Sequence, residues 1–458
     1  MLYNTVLQPS VPESAFLERL FYSLNQEGHK YAVMRNYEQL PKSVGGSDLD
    51  LLVDTKNADQ IVGCIVDAIK KAKGIVIGRV ETVGLTKLFA LGQPDDLEGQ
   101  WWGIRIDICI GVVYRGSHNL VSESIWERGV KDYKGVKVIS SDLASLLGVM
   151  KEVLHNGLIG DRYISQAFDA ASERWDKICP VLEPLGPNGL NQLRNICCET
   201  GNSNSLAAEA KRFRLNIELR SWKASPILYI ANKIRYYGSK IMRVIHPPGK
   251  MIVFLGTDGA GKSTIIEAIK PALMDATHKS VLIKHLRPRL LPPIGRIKGT
   301  RDNQNETVTD PHGASSSGTL LSLVRLAYYY LDYTIGYWLL VRPIISKSPS
   351  VVIFDRYAYD ILLDPKRLRI NLPQWILRLF VSIVPKPDLT VCLYGNAEVI
   401  AARKNELSVD EVKRQVDALV SFAGNVKSRL LVNTESSVVE TRNCILYSIK
   451  NACLKLRE

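Results

Sequence analysis

The spacing of apolar residues changes twice along the chain and divides it into three stretches. In the first stretch, 1–140, short apolar runs alternate with polar turns, which is typical of short strands and amphipathic helices. The pattern predicts helices over 12–28 and 57–73 and strands over 31–34, 74–83, 86–91 and 104–110. We therefore expect an α+β domain here.

The second stretch, 141–245, has apolar residues at helical spacing almost throughout. It predicts helices over 141–156, 162–177, 188–199 and 205–237. Pro226 is expected to break or kink the last of these, because proline lacks the backbone N–H that a helix interior requires. We interpret this stretch as a helical subdomain that ends at the HPPG sequence, 246–249.

The third stretch, 250–458, alternates fully apolar runs with helical segments. The runs predict strands over 251–255, 280–285, 351–354, 388–394 and 430–432. Such alternation is typical of a doubly wound parallel sheet, with a helix between successive strands. The predicted fold class is therefore α/β, with three parts at 1–140, 141–245 and 250–458.

Composition and net charge bear on which molecules the chain is expected to bind. The chain has 458 residues, is 46% hydrophobic and carries a net charge of +13. Positive charge favours anionic ligands, nucleic acid or an acidic membrane surface, although a merely basic surface explains it equally well. No nucleic-acid-reading motif is recognisable, so nucleic acid is not the expected partner, whereas peripheral membrane contact and a homodimer both stay open.

Three features bear on the compartment. The eight cysteines include no CxxC pair, which favours reduced thiols. The N-terminus does not resemble a signal peptide, because Pro9 interrupts its apolar run. The apolar segment 320–345 contains Arg325, Asp332 and Arg342, which favours a buried or substrate-lining helix over a membrane span. We expect a cytoplasmic protein.

The most specific pattern is GTDGAGKST, which follows the predicted strand 251–255. It fits the phosphate-binding loop G-x-x-x-x-G-K-[ST] at every position and leads into a helix predicted to end before Pro271. Lys262 is expected to reach the β- and γ-phosphates and Ser263 to hold Mg²⁺. ATP and Mg²⁺ are therefore the expected cofactors. The expected binding residues are Gly256, Asp258, Gly259, Ala260, Gly261, Lys262, Ser263 and Thr264.

A second candidate group follows the strand predicted at 351–354. Asp355 is expected to hold Mg²⁺ through water or to orient the acceptor, and Arg356 to bind an anion, with a buried ion pair as the structural alternative. Arg403 and Arg414 lie in a basic segment placed like a lid, although a solvated helix face explains them equally well. The candidate catalytic residues are Lys262, Asp355, Arg356 and Arg403.

Two further features of the third stretch allow two interpretations each. The basic run 286–301 predicts either a clamp for an anionic acceptor or a solvated loop. The aromatic residues within 328–338 are spaced for helix core packing, and stacking on an acceptor ring is the alternative.

In the first stretch, a Gly-Ser turn precedes two carboxylates. Gly46 and Ser47 lead into Asp48 and Asp50, which share one face of a strand because they are two residues apart. Two such carboxylates can hold a divalent metal, and the turn can hold a triphosphate. Asp107, among apolar residues of another predicted strand, would complete a two-metal site. The structural alternative is a capped turn with solvated aspartates and one paired core aspartate.

This constellation resembles the nucleotidyltransferase fold of the DNA polymerase beta superfamily, which uses Gly-Ser, Asp-x-Asp and a third Asp on a neighbouring strand. The resemblance covers roughly 12–115. It implies that Asp48, Asp50 and Asp107 bind the metal and that the Gly-Ser turn contacts a nucleotide.

From about residue 250 onward, the chain resembles the thymidylate kinase branch of the P-loop kinases. The resemblance depends on the GTDGAGKST loop, on the DRY sequence at 355–357 and on the strand–helix segment 387–404. It implies that Asp258, Asp355 and Arg356 face the acceptor and that Arg403 belongs to a lid.

The thymine-reading parts of that family are not kept. Arg287 and Pro288 replace its Arg-Glu-Pro-Gly segment, Tyr333 follows Asp332 where the family has Arg, and Tyr394 replaces an aspartate. We therefore do not expect dTMP as the acceptor. Divergent kinases of this type, joined to a nucleotidyltransferase-like half, resemble proteins linked to bacterial surface-polysaccharide synthesis.

The sequence thus predicts ATP- and Mg²⁺-dependent phosphoryl transfer to a small nucleotide or sugar-type acceptor. One alternative is nucleotidyl transfer with Asp48, Asp50 and Asp107, with a second nucleotide at the N-terminal domain. Another is a non-catalytic nucleotide-binding or sensor protein.

Overall fold

The computed structural model describes residues 13–94, 99–198, 203–292, 318–365, 367–404 and 407–455. The extreme N-terminus and most of the basic run at 286–301, including Arg296, Lys298 and Arg301, lie outside the described residues. The chain divides into two compact units. Unit 1 comprises Met1–Gln93 and Ile104–Met242, and unit 2 comprises Pro94–Gly103 and Arg243–Glu458.

The strands of unit 1 form a mixed seven-stranded sheet. Its strands are β1 (Tyr31–Val33), β2 (Leu49–Val53), β3 (Gly74–Thr82), β4 (Leu85–Gly92), β5 (Trp102–Ile110), β6 (Val130–Tyr133) and β7 (Val136–Ile139). They lie in the order β3-β4-β5-β2-β1-β7-β6. β2 and β5 are parallel neighbours in a register that places Asp50 beside Asp107. The sheet therefore brings two of the predicted carboxylates together.

The helices of unit 1 follow the apolar spacing of its sequence. They are α1 (Ser14–Gln26), α2 (Ala58–Lys71), α3 (Ile125–Arg128), α4 (Ser141–His155), α5 (Asp161–Ser172), α6 (Trp175–Ile178), a 3₁₀ helix (Cys179–Leu185), α7 (Gly186–Cys198), α8 (Ser203–Ala224) and α9 (Pro226–Ile245). The predicted break at Pro226 is confirmed, because α8 ends at Ala224 and α9 begins at the proline.

One hydrophobic cluster joins the sheet and the helices of unit 1. It contains Ala32 and Leu52 of the sheet together with Leu146, Ala170 and Phe213 of the helices, all of them buried. The helices at 141–224 thus share a core with the sheet. The seven cysteines whose side chains are described are all unpaired, as predicted.

The strands of unit 2 form an all-parallel five-stranded sheet. They are β8 (Lys250–Leu255), β9 (Val281–His285), β10 (Val351–Asp355), β11 (Leu389–Tyr394) and β12 (Arg429–Asn433). Their order is β12-β11-β8-β10-β9, and every pair is parallel. β8 lies at the centre, and the chain fills one side of it before the other, so the topology reverses at its carboxyl end.

The helices of unit 2 include one correction to the sequence prediction. They are α10 (Lys262–Ala276), α11 (Thr319–Gly336), a π-helical turn (Tyr337–Val341), α12 (Arg342–Lys347), α13 (Asp360–Leu363), α14 (Gln374–Ile383), α15 (Ala397–Arg403), α16 (Val409–Gly424) and α17 (Val438–Lys455). The prediction that the helix after the loop ends before Pro271 is wrong. α10 accommodates Pro271 and continues, with Ala272, Leu273 and Ala276 buried on the same face.

The apolar segment 320–345 is helical throughout, as predicted, but it is not buried throughout. It comprises α11, the π-helical turn and part of α12, and Leu320, Val324 and Trp338 are exposed. Tyr333 and Tyr337 do lie in the core, which confirms core packing for part of the aromatic cluster. Among the described residues, no helix is both long and apolar enough to cross a membrane.

Candidate functional site

The phosphate-loop sequence lies at the carboxyl end of β8, the central strand of the unit 2 sheet. α10 begins at Lys262, so the last residues of the loop sequence form its first turn. Asp355, the last residue of β10, is in register with Phe254 of β8 and so lies beside the start of the loop. The crevice outside the carboxyl ends of parallel strands, where the topology reverses, is the usual ligand position in such sheets.

Two glycines are required by the shape of this loop. Gly259 has a φ of +84° and Gly261 a φ of +83°, in the left-handed region that side chains disfavour. A Cβ on Gly259 would also lie 2.7 Å from the carbonyl oxygen of Ile400. The glycines therefore permit a turn that places loop N–H groups at the start of α10.

Lys262 is buried beneath the loop. Its Nζ donates hydrogen bonds to the carbonyl oxygens of Gly256 at 2.9 Å and Thr257 at 2.8 Å, and it lies 3.9 Å from the Asp258 carboxylate. Burial and the positive charge of Arg356 lower the pKa of Lys262 to about 8. An ammonium group with a lowered pKa at a loop of backbone N–H groups is well placed to gain from an anionic ligand.

Asp258 is held by two arginines. It accepts hydrogen bonds at 2.5 Å from both Arg356 and Arg367. Arg356 also donates to buried Asp360 at 3.3 Å. Burial alone would raise the pKa of Asp258, but Arg356 and Lys262 lower it well below its usual range. The result is an ionised network that fixes the Arg356 side chain against the loop.

Asp355 has one carboxylate oxygen paired and one unpaired. Its Oδ2 lies 3.5 Å from Nδ1 of His285, whereas its buried Oδ1 has no hydrogen-bond partner among the described residues. Burial acts to raise the pKa of Asp355. The hydrogen bond with His285 and the charge of Lys262 outweigh burial, so the net effect is a lowered pKa. An ionised oxygen without a partner, together with the Ser263 hydroxyl on the same cavity, suits Mg²⁺.

These residues line one cavity in unit 2, with a volume of about 630 Å³. The sequence-predicted residues on its wall are Asp258, Gly259, Ala260, Gly261, Lys262, Ser263, Thr264, Asp355, Arg356 and Arg403. Gly256 does not line the cavity, and a Cβ at this position would lie 2.9 Å from the carbonyl oxygen of Leu393. Arg414, the other lid candidate, pairs with Glu411 on its own helix and is not part of the wall.

Several wall residues were not predicted from the sequence. They are Ile265, His285, Arg367, Thr434, Ser436, Val438 and Thr441, and Asp360 supports the wall from behind Arg356. His285 ends β9 and could have been predicted, since the carboxyl end of a neighbouring strand reaches the same edge. Arg367 has no comparable signal, because it arrives from an irregular segment after α13.

The interpretation of the basic run as an acceptor clamp is wrong for Arg287. Its guanidinium is buried and donates to Asp332 at 3.0 Å. Asp332 also accepts from the backbone N–H groups of Leu290 and Leu291. This aspartate therefore ties the segment after β9 to α11.

The second candidate site lies on the unit 1 sheet. Asp48, Asp50 and Asp107 are all buried, and each offers a carboxylate oxygen within 4.8 Å of the others. A set of three carboxylates at this spacing can hold a divalent cation. The prediction that these residues meet is confirmed.

Basic side chains already neutralise these carboxylates. Arg105 donates to Asp107 at 2.7 and 2.5 Å and lies 3.6 Å from Asp48, and Lys87 donates to Asp107 at 2.8 Å. Arg35 pairs with Asp50 and lies 3.4 Å from Asp48. A metal ion must therefore compete with three cations for the carboxylates. Arg105 could have been predicted as a partner, because it lies two residues before Asp107 on the same strand face.

The pKa values of Asp50 and Asp107 are shifted in opposite directions. Burial and the neighbouring charge of Asp48 raise the pKa of Asp50. Burial also acts to raise the pKa of Asp107, but the hydrogen bond from Arg105 and the charge of Lys87 lower it below the ordinary value. Asp107 is therefore the more strongly ionised of the two, and Arg105 is the main cause.

The Gly-Ser turn lies directly before this cluster. Gly46 has a φ of +72°, and the Ser47 hydroxyl accepts a hydrogen bond from the Asn36 side chain at 3.2 Å. The turn and the carboxylates are thus contiguous in the structure.

No protein-family model matches this chain, and no curated protein matches it either. The chemistry of the two sites is therefore inferred from their geometry. The unit 2 cavity combines a glycine-shaped loop, a buried lysine and an unpaired carboxylate oxygen, which suits an anionic ligand with a divalent cation. The unit 1 cluster combines carboxylates and cations in equal number, which suits either an ion-pair core or a metal that displaces the cations.

Proposed function

We propose that this protein transfers the terminal phosphoryl group of ATP to a small nucleotide or sugar-type acceptor at the unit 2 cavity, in the manner of thymidylate kinase-like P-loop kinases. The observation that carries the proposal is Lys262, buried beneath a glycine-shaped loop, beside the unpaired Oδ1 of Asp355. The all-parallel sheet with β8 at its centre supports a doubly wound fold for this half.

The loop and Lys262 would position the phosphates. Backbone N–H groups at the start of α10 bind phosphate oxygens, and Lys262 exchanges its two carbonyl acceptors for the β- and γ-phosphates. Its lowered pKa reflects burial and a neighbouring cation, and the negative charge of bound phosphates would raise that pKa again. In phosphoryl transfer, most of the catalytic effect comes from such positioning and charge neutralisation.

Ser263 and Asp355 are the residues that would hold Mg²⁺. When bound, Mg²⁺ supplies positive charge that offsets the developing charge on the phosphate oxygens. Asp355 is already ionised because of His285 and Lys262, so its free oxygen needs no proton loss to serve as a ligand.

The acceptor would lie on the Arg356 and Arg367 side of the cavity. Both arginines reach Asp258, so this wall carries two fixed guanidinium groups beside the loop. Arginine forks match phosphate and carboxylate geometry, which favours an anionic acceptor. Arg403 lines the same cavity from the end of α15 and would neutralise the transferring group.

Replacement of Lys262 by alanine tests the proposal. ATP consumption with Mg²⁺ is followed across nucleoside monophosphates and sugar phosphates, and we expect turnover to fall by at least about 10³-fold. Lys270→Ala, on the same helix but at its surface, is the matched control and should leave turnover unchanged. Undiminished turnover of the Lys262 variant would show that the activity lies elsewhere. ATP binding without turnover of any acceptor would favour a nucleotide sensor.

A second candidate function is nucleotidyl transfer at unit 1. It is favoured by one observation, the approach of Asp48, Asp50 and Asp107 to within 4.8 Å beside a Gly-Ser turn. This activity would release pyrophosphate from a nucleoside triphosphate, and Asp48→Ala combined with Asp50→Ala should abolish that release. If pyrophosphate release persists in the double variant, the cluster is structural.

A further inference from the structure

Helix α9 faces its apolar side outward. Ile227, Ile230, Ile234, Tyr237 and Ile241 follow one another at alternate spacings of three and four residues, which places them on one face of the helix. None of the helix's 20 described residues is buried. Ile227 is 83% exposed, Ile234 67% and Ile241 61%. A globular protein normally turns such a stripe toward its core.

The polar side of α9 faces α8 instead. Lys233 donates to Glu218 at 2.6 Å, and the Tyr229 hydroxyl bonds the same carboxylate. The rings of Tyr229 and Trp222 also pack at 6.0 Å. α9 is therefore fixed by its polar contacts in an orientation that leaves its apolar face in solvent. We call this face, formed by Ile227, Ile230, Ile234, Tyr237 and Ile241, the isoleucine stripe.

The neighbouring helix α8 also carries exposed apolar side chains. Leu215, Leu219 and Trp222 of α8 are 59%, 50% and 45% exposed, and they are spaced four and three residues apart. α8 itself is anchored by buried Phe213 and Ile217 on its other side. α8 is therefore fixed to the core of unit 1 while it exposes apolar side chains. Exposed apolar surface of this extent marks an interaction site.

The charge of the helical pair identifies the kind of partner. Residues 203–245 contain nine Lys and Arg residues and two Glu, which accounts for +7 of the chain's net charge of +13. α9 contains four basic residues and no acidic one. Lys240 lies over the rings of Tyr236 and Tyr237, at 4.5 and 5.7 Å from their centroids. An apolar stripe flanked by basic and aromatic residues is typical of a helix that lies in a membrane interface.

We propose that α8 and α9 dock the protein onto an anionic lipid surface. The isoleucine stripe enters the boundary between headgroups and acyl chains, while Arg235 and Lys240 meet the anionic headgroups. A second copy of the chain is a poorer occupant. The stripe covers about two heptads, fewer than a coiled coil needs, and α9 offers no acidic residue to pair with the basic residues of its copy.

Vesicle flotation of the full chain tests this proposal. Vesicles of phosphatidylcholine alone are compared with vesicles containing an equal part of phosphatidylglycerol, at low and high salt. We expect flotation with the anionic vesicles only, and its loss at high salt. Ile234→Ser combined with Ile241→Ser should lower the partition coefficient by at least about tenfold.

Matched variants separate the stripe from general surface effects. Tyr22 and Leu158 of unit 1 are 67% and 60% exposed, so Tyr22→Ser with Leu158→Ser removes a comparable exposed apolar area and should leave flotation unchanged. Arg235→Glu with Lys240→Glu should abolish it. All these side chains face solvent, so thermal unfolding should match the wild-type protein.

Three outcomes would overturn the proposal. They are failure to float with anionic vesicles, equal flotation with phosphatidylcholine alone, and flotation that the stripe variant does not diminish. Light scattering provides a further check. A dimer that the stripe variant dissociates, without vesicle binding, would assign the surface to a second copy.

Discussion

The two candidate sites both combine carboxylates with basic side chains, but they balance charge differently. In unit 1, Asp107 is held by Arg105 and Lys87, and Asp48 and Asp50 share Arg35. In unit 2, one oxygen of Asp355 lacks a partner among the described residues, and Lys262 is buried with a lowered pKa beside an open cavity. The first arrangement is saturated, whereas the second has capacity left for a ligand.

This difference separates charges that stabilise a fold from charges prepared for chemistry. A buried ion pair whose members satisfy one another is costly to break but offers little to a ligand. A buried group with an unmet hydrogen bond or a shifted pKa is a better indicator of a functional site. On this basis, unit 2 is the better candidate for catalysis, and unit 1 requires a metal to displace its cations.

After Lys262→Ala, the largest expected effect is that of Asp355→Asn. It keeps the shape of the side chain but removes the charge of the proposed Mg²⁺ ligand, so turnover should fall by about 10²- to 10³-fold. The measurement is acceptor-dependent ADP formation over a range of Mg²⁺ concentrations. Asp410→Asn, in the first turn of α16, is the control and should have no effect. Equal turnover of the two variants would contradict the assignment of Asp355.

Arg105→Ala tests whether the unit 1 charges are structural. The change leaves buried Asp107 with Lys87 alone, so the free energy of unfolding should fall by about 2 kcal/mol. Urea denaturation followed by circular dichroism measures it. Arg79→Ala removes an exposed pair with Glu81 on the same sheet and should cost less than about 0.5 kcal/mol. Similar values for both variants would show that the cluster does not stabilise the sheet.

Replacement of the two lid candidates, Arg403 and Arg414, should affect kcat differently. Arg403 lines the cavity, so Arg403→Ala should lower kcat by at least about tenfold. Arg414 is paired with Glu411 on the surface of α16, so Arg414→Ala should leave kcat unchanged. The two variants are compared under saturating ATP. If Arg414→Ala is the more damaging, the lid closes through α16 instead.

The smallest expected effect is a pH dependence of ATP binding. The pKa of Lys262 is about 8, below its ordinary value of 10.5, and the phosphates bind the protonated form. Affinity should therefore fall as the pH rises through the pKa, by about fivefold over the first pH unit above it. Calorimetric titration measures this change. Lys262→Arg stays charged and should bind ATP with a flat profile. A profile in the wild-type protein as flat as this would contradict the lowered pKa.

Sequence predicts those site residues that belong to a continuous motif, and it misses those that tertiary packing brings to the site. The loop from Gly256 to Ser263 and the strand that delivers Asp355 are continuous motifs, and the structure brings both to one cavity. Arg367 reaches that cavity, and Asp360 supports Arg356 behind it, through tertiary packing that no local sequence pattern records. The helix through Pro271 was misjudged because buried contacts after the proline outweigh one lost hydrogen bond.

The sequence pattern also does not predict which way the apolar face of α9 points. The isoleucine spacing of α9 predicts a helix with one apolar face, but not the direction in which that face points. The contacts of Glu218 with Tyr229 and Lys233 decide it, and they join residues on two different helices.

The most direct test of the central claim uses two preparations of ATP, one labelled at the α-phosphate and one at the γ-phosphate. Each is incubated with the protein, Mg²⁺ and a panel of acceptors, and the position of the label is then determined. Phosphoryl transfer at the unit 2 cavity predicts that the γ-label moves to the acceptor while the α-label stays in ADP. The opposite result, with the α-label on the acceptor and pyrophosphate released, would place the chemistry at Asp48, Asp50 and Asp107 and contradict the proposal.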